Sequence, residues 1–340
     1  LGTRLSPLVK PRKIKLSQLY SRIVAFDANN LLYQFLSLVR MPNGELLKDR
    51  EGRVTSHLLG ASLRISRLMA EYSIKPIMVF DGTPSELKLR TLEARRKERE
   101  KALIEWKKNI EQGRVAKAFS KAVVSATLTK DLANDAREMF RLMGIPVINA
   151  PEDAEAQASY MCMKEDVWAI ASQDYDSLLY GAPRIVRYIT ISGKDFLPSK
   201  LRMKPLVPEI IELKSTLERL GISREQLIDV AILSGTDFNE GIPKIGPIKA
   251  YRLIKKYERI EKIPTRVLNK NIENLERVRE IFMKPKVVTD YTITFSKPNF
   301  EELRRFLHSR SFSEEKIELI IDRLSLFYNS LEKLSLSKWL

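Results

Sequence analysis

Short apolar runs alternate with amphipathic stretches along the first half of the chain. IVAF (23–26) precedes NNLLYQFLSLVR, KPIMVF (75–80) precedes a long charged segment, IPVINA (145–150) precedes EDAEAQASYMCM, and VWAIAS (167–172) runs into SQDYDSLL. RIVRYITI (184–191) reads as a further strand. Strand–helix alternation of this kind predicts an α/β fold, a central and mostly parallel twisted sheet flanked by helices. From about Leu213 the pattern turns helical, through LKSTLERLG, REQLIDVAILSG and IKAYRLIKKY. No internal repeat or low-complexity linker marks a boundary.

One stretch stands apart. SELKLRTLEARRKEREKALIEWKKNIEQGRVAKAFSK (85–121) is helical by propensity and rich in Lys and Arg, without a wide apolar stripe. Much of it is expected to stand off the core. It reads either as a solvated helix laced with Glu–Lys and Glu–Arg pairs or as an arm that touches phosphates, and its basic excess favours the arm.

Charge sharpens that reading. The 340 residues carry 59 Lys plus Arg against 43 Asp plus Glu, a formal charge of +16. Such an excess suits an anionic partner, nucleic acid first, although a merely lysine-rich surface would give the same total. With one cysteine, Cys162, and two histidines, His57 and His308, an internal disulfide is impossible and a zinc site is disfavoured. No apolar run suits a membrane span, and LGTRLSPLVKPRK lacks the apolar segment of a signal peptide. A monomeric cytoplasmic protein with no membrane partner is expected. There is no GxG, GKS or GKT, so dinucleotide and P-loop fingerprints are absent, and both histidines read as structural.

Acidic residues gather where strands should end. Asp27 follows IVAF, Asp81 follows KPIMVF, Asp174 and Asp176 follow VWAIAS, and Asp153 and Glu155 come just after IPVINAP. In a parallel sheet these carboxyl ends share one edge, where such folds place their sites. Taken singly, Asp27 or Asp153 could be a helix cap and Asp81–Gly82 a turn. Taken together they would repel unless a hard divalent cation such as Mg²⁺ or Mn²⁺ held them. Two such ions about 4 Å apart suit phosphodiester hydrolysis.

VAFDANNLLYQFL, TSHLLG, IKPIMVFDGTPSELK, LMGIPVINAPEDAEAQASY, SQDYDSLLYG and ILSGTDFNEGIPKIGPIKA stand in the order and spacing of the structure-specific 5′ nucleases. Over nearly its whole length the chain resembles that family, its archaeal flap endonucleases in particular. The resemblance implies one nuclease domain over 1–340 with a PIN-like core. Its parts would be an N-terminal nuclease part (1–84), a helical arch (85–131), an internal nuclease part (132–212), a helical region with a helix–two-turn–helix (213–328) and a C-terminal tail (329–340). It implies cleavage at the base of a 5′ flap in branched DNA, in replication (Okazaki fragment maturation) and repair, with possible 5′–3′ exonuclease and gap activity.

Residue by residue, it implies that Asp27, Asp81, Asp153, Glu155, Asp174, Asp176 and Asp237 bind two Mg²⁺ ions, with Mn²⁺ able to substitute. Asp237 belongs to the helical part and escaped the strand-end pattern. Lys88 and Arg95 would act in catalysis from the arch, and Gly2, Tyr33, Arg40, Gly246 and Lys249 would contact DNA. Lys255 and Lys256 would add phosphate contacts, and a monovalent cation would sit at the turns of GIPKIGPIKA. Leu336, Trp339 and Leu340 would dock on the sliding clamp PCNA, unless that short tail packs on its own domain. The chain departs from the family at Asp153 (usually Glu, with neighbouring Glu152 a possible substitute), Lys244 (usually Gly), Ile248 (usually Lys) and Lys333 (usually Gln). An archaeal cytoplasm and nucleoid, or a eukaryotic nucleus, is the implied setting. A junction-binding or clamp-tethered scaffold with decayed chemistry is the rival reading, and a gap nuclease, exonuclease or junction resolvase a third.

Overall fold

A computed structural model describes residues 3–191, 195–197, 202–204, 206–268 and 272–336. Its strands in chain order are β1 (Arg12–Lys13), β2 (Ile23–Asp27), β3 (Lys75–Phe80), β4 (Val147–Asn149), β5 (Ala169–Ala171), β6 (Arg184–Arg187), β7 (Asp195–Leu197), β8 (Arg202–Lys204) and β9 (Glu209–Glu212). Among the described residues, seven of these form one sheet in the order β1-β9-β6-β5-β2-β3-β4, and β7 pairs with β8 alone. Contacts from β6 through β5, β2 and β3 to β4 are parallel, whereas β9 runs antiparallel to both β6 and β1. The α/β expectation holds.

The central strands are covered on both faces, as their unbroken apolar runs require. Successive side chains enter opposite cores: Ala25, Ile77 and Val79 face one, and Val24, Phe26, Met78 and Phe80 face the other. Each fully buried side chain of this size contributes roughly 1.5–3 kcal/mol, which fixes the register and with it the strand ends.

The helices are α1 (Ala28–Leu38), α2 (Ser56–Tyr72), α3 (Leu89–Glu111), α4 (Val115–Val124), α5 (Lys130–Leu142), α6 (Ala154–Met163), α7 (Asp176–Leu179), α8 (Leu213–Leu220), α9 (Arg224–Ser234), α10 (Pro247–Tyr257), α11 (Thr265–Leu268), α12 (Leu275–Met283), α13 (Phe300–Ser309) and α14 (Glu314–Leu336). Residues of α6 to α10 and α12 pack on one sheet face, and those of α1, α2, α5, α13 and α14 on the other. Two sequence expectations change in extent. The strand expected over 184–191 ends at Arg187, because Tyr188 turns to φ +60°. Helix α14 runs to Leu336, past residue 329.

The basic segment folds into α3 and α4, packed on each other. Ala102 is the one buried residue of α3, so its charged faces do stand off the core. The pair leans on the loop after α1, where Trp106 Nε1 donates to Asn43 O at 3.2 Å. Gly44, at φ +87°, lies so near that an added Cβ would come 2.8 Å from Ala122 Cβ.

Candidate active site

Parallel pairing of β2 with β3 and β5 puts the residues that follow these strands on one edge. All seven acidic residues singled out in the sequence line a single cleft there, of about 490 Å³. Asp27 closes β2, Asp81 follows β3, and Asp174 lies just beyond β5. Asp153 is the N-cap of α6 with Glu155 in its first turn, and Asp176 opens α7. Asp237, from the loop after α9, reaches the same cleft, although no strand-end pattern could flag it.

Local backbone geometry draws these segments together. A Cβ on Gly82 would fall 2.2 Å from Ala150 O and 2.3 Å from Pro151 O. Gly82 N donates to Glu152 O at 2.7 Å, so the turn after β3 lies directly against the segment that carries Asp153. Ala154 N, at the start of α6, donates to Asp81 Oδ1 at 2.7 Å. Asp153 stands at the N-cap position of α6 without capping it through its side chain, whereas the cap reading of Asp27 is correct and compatible with a site. Asp27 Oδ1 indeed accepts from Asn30 N at 2.9 Å as the cap of α1.

Four of the acids, Asp153, Glu155, Asp176 and Asp237, are held by side-chain donors from elsewhere in the chain. Asp153 accepts from Lys88 Nζ at 2.5 Å and from Tyr180 OH at 2.8 Å. Glu155 Oε1 accepts from Ser172 Oγ at 2.6 Å and Ser177 Oγ at 2.9 Å. Asp176 Oδ1 accepts from Thr3 N at 2.8 Å and also from the Thr3 hydroxyl. Arg95 Nη2 stands 2.5 Å from Asp237 Oδ1. Sequence reading missed Tyr180, Thr3, Ser172 and Ser177. The two serines bracket the aspartates in SQDYDS, and that signal was available.

Electrostatics follow from crowding. Burial lifts the Asp27 carboxyl well above the usual range, and the nearby charges of Asp81 and Asp174 add to it. Burial does the same to Glu155, reinforced by Asp174, Asp176 and Asp27. Asp176 is pushed up to about 6 by burial and then by Asp237 and Asp174. Asp81 is raised by burial, against the pull of Lys88. Burial disfavours the Lys88 ammonium, but the attraction of Asp153 and Asp81 outweighs it and holds the group above its ordinary value. Carboxylates this destabilised as anions call for cationic partners.

The donor set is hard oxygen throughout, as Mg²⁺ or Mn²⁺ prefers. Asn29, in the same lining, adds a buried amide oxygen with no hydrogen-bond partner. The residues therefore fit a divalent ion. Among the described residues, though, no three acidic, histidine or cysteine side chains already converge into a closed cage.

The other expected residues divide. Tyr33 lines the cleft with the guanidinium of Arg99 5.0 Å over its ring, a pairing the sequence did not suggest. Arg40 is absent from the lining and is tied to the last turn of α1 through Leu36 O at 2.8 Å and to the following loop through Gly44 O at 2.7 Å. Burial pushes its guanidinium down to about 10. Glu152 is absent from the lining of the cleft and pairs with Lys286 at 2.7 Å, whereas Asp153 enters it. His57 is structural, buried with Nε2 3.0 Å from Leu132 O.

Helices α9 and α10 pack together across two turns. Gly246 caps α10 and is open to approach, with nothing within 4 Å of an added Cβ. Lys249 is exposed on the first turn of α10. Lys244 occupies the left-handed region at φ +66°, and Ile245 N donates to Ile242 O at 3.0 Å. With Pro243 at the second position this is a type II turn, and lysine adopts the conformation glycine would. Lys255 is exposed, and its ammonium donates to Leu220 O and Gly221 O at the end of α8, which leaves its charge and one donor uncommitted. Gly2, Trp339 and Leu340, and the side chain of Leu336, lie outside the described residues.

Comparison with known proteins adds independent findings. Residues 3–102 match the XPG N-terminal domain and residues 144–237 the XPG I-region. Flap endonuclease 1 of Caldivirga maquilingensis is 45% identical over 319 residues, 92% of this chain and 91% of that protein. Flap endonuclease 1 of Methanosarcina acetivorans is 42% identical over 340 residues, covering all of both chains. The solved flap endonuclease-1 of Methanococcus jannaschii superposes with a TM-score of 0.75 at 37% identity, over 97% of this chain and 100% of that one.

Proposed function

Because the chain belongs to the flap endonucleases of the XPG nuclease family, we propose that its acidic cleft hydrolyses a DNA phosphodiester at the base of a 5′ flap, in replication and repair. The observation that carries this reading is the meeting of seven carboxylates in one cleft beside two cations, Lys88 and Arg95. The family implies a divalent metal cofactor. Two Mg²⁺ ions in the cleft would lower the pKa of an attacking water and offset charge on the phosphate.

The chain's own residues do the rest. Asp27, Asp81, Asp153, Glu155, Asp174, Asp176 and Asp237 supply the oxygen ligands, some directly and others through water. Lys88 and Arg95 lie within ion-pair distance of the acids, so their charges can pass to a scissile phosphate once it enters. Helices α3 and α4 act as the arch over the flap strand, and Tyr33 backed by Arg99 offers a stacking face for a base near the cut. At the start of α10, Gly246 and exposed Lys249 receive duplex phosphates, with a monovalent cation at the preceding turns. The C-terminal residues dock on the sliding clamp.

Asp81→Ala and Asp176→Ala test the reading. Each should release no product from a labelled 5′ flap in Mg²⁺ while still shifting that flap in a gel. Full cleavage by either variant refutes it. Running flap, gapped, nicked and four-way DNA side by side ranks the substrates.

A further inference from the structure

Asn29 and Asn30 are consecutive residues in the first turn of α1, after Asp27 and Ala28. Their side chains diverge. Asn29 Nδ2 donates to Asp81 Oδ2 at 2.7 Å, and Asn30 Nδ2 donates to Asp174 Oδ2 at 3.2 Å. Asp81 follows β3 and Asp174 follows β5, the strands that flank β2 on either side. The backbone of Asn30 meanwhile donates to Asp27 Oδ1 at 2.9 Å. One helical turn thus grips the carboxylates of three adjacent strands.

The chemistry of the grip matters. A carboxylate anion only accepts, so the amide nitrogen of each asparagine faces it and the orientation of both side chains is fixed. Asp81 is then held at both oxygens by neutral donors, Asn29 on one and Ala154 N on the other. An ammonium in that place would compete with a cation for the carboxylate; an amide does not. The leftover Asn29 Oδ1 is buried without a partner in the lining of the cleft, a neutral oxygen suited to a cation or its hydration shell.

We propose that Asn29 and Asn30 are positioning residues that set Asp81, Asp174 and Asp27 for divalent metal. The proposal rests on the metal reading of the cleft. Mn²⁺ binding to the full-length, DNA-free protein, followed by electron paramagnetic resonance, tests it apart from activity. Asn29→Ala and Asn30→Ala should each weaken Mn²⁺ binding roughly tenfold, the scale of outer ligand contacts. Asn30→Ala keeps the backbone bond to Asp27, so the loss isolates the Asp174 contact. Asn30→Gln, which retains an amide, should recover part of it. Flap-DNA affinity in chelator should stay at the wild-type value. Wild-type Mn²⁺ affinity in both alanine variants overturns the proposal, as does a loss matched by equal weakening of metal-free DNA binding. If the wild-type protein itself binds no Mn²⁺, the metal reading fails, which is a separate result.

Discussion

Lys88 Nζ lies 2.5 Å from Asp153 Oδ1 and 4.0 Å from Asp237 Oδ2, so the residue just before α3 is ion-paired with two acids of the cleft. Those acids come from opposite halves of the chain, and one cation serves both. The same contact makes Lys88 the link between the basic helices and the chemistry below them.

Lys88→Ala should therefore lower single-turnover cleavage of a 5′ flap by roughly 10²-fold or more, the scale of a lost electrostatic contact to developing charge. Flap affinity in chelator should change only a few-fold. Lys88→Arg should restore part of the rate, since it keeps the charge and loses the compact ammonium.

Gly82 separates Asp81 from a backbone that leaves no room for a methyl group. Gly82→Ala should force the 150–151 segment away and cost about 1–3 kcal/mol by overpacking. Cleavage should fall further than stability does, because the displaced segment carries Asp153. Urea melts beside Mg²⁺ titrations of activity separate the two losses.

Lys244 spends about 1 kcal/mol in the left-handed region that glycine enters freely. Lys244→Gly should raise thermal stability by about that amount, and Lys244→Val should lower it. If both variants melt with the wild type, the turn does not hold this conformation in solution.

His57 gives a pH dependence away from the cleft. Burial pushes its imidazole down to about 4 from the ordinary 6.5, so between those values the unfolded chain binds a proton that the fold excludes. The contribution is fully present above pH 6.5 and is lost as pH falls toward 4, about 3 kcal/mol in all. The raised carboxyls of Asp27, Glu155 and Asp176 act with the opposite sign. The difference between wild type and His57→Gln in urea melts at pH 7 and pH 5 isolates the histidine term.

The sequence by itself determined a good deal. Unbroken apolar runs made β2, β3 and β5 buried parallel strands, and an acid at the end of each then had to share an edge. Six motifs in order supplied Asp237, which periodicity could not, because its place depends on how α9 docks rather than on any strand. Tertiary structure decided what local pattern leaves open. Glu152 and Asp153 are adjacent in the chain, yet only the path after β4 sends one to Lys286 and the other into the cleft. Lys255 and Arg40 carry charges that suit phosphate, and the fold orients them through backbone carbonyls at α8 and in the loop after α1. Asn29 and Asn30 look like ordinary polar residues opening a helix until the sheet order puts β3 and β5 on either side of β2. Spacing along a chain records which face a side chain takes. Which partner it meets there is set by strand order and by whichever donor or acceptor is nearest once the core has closed.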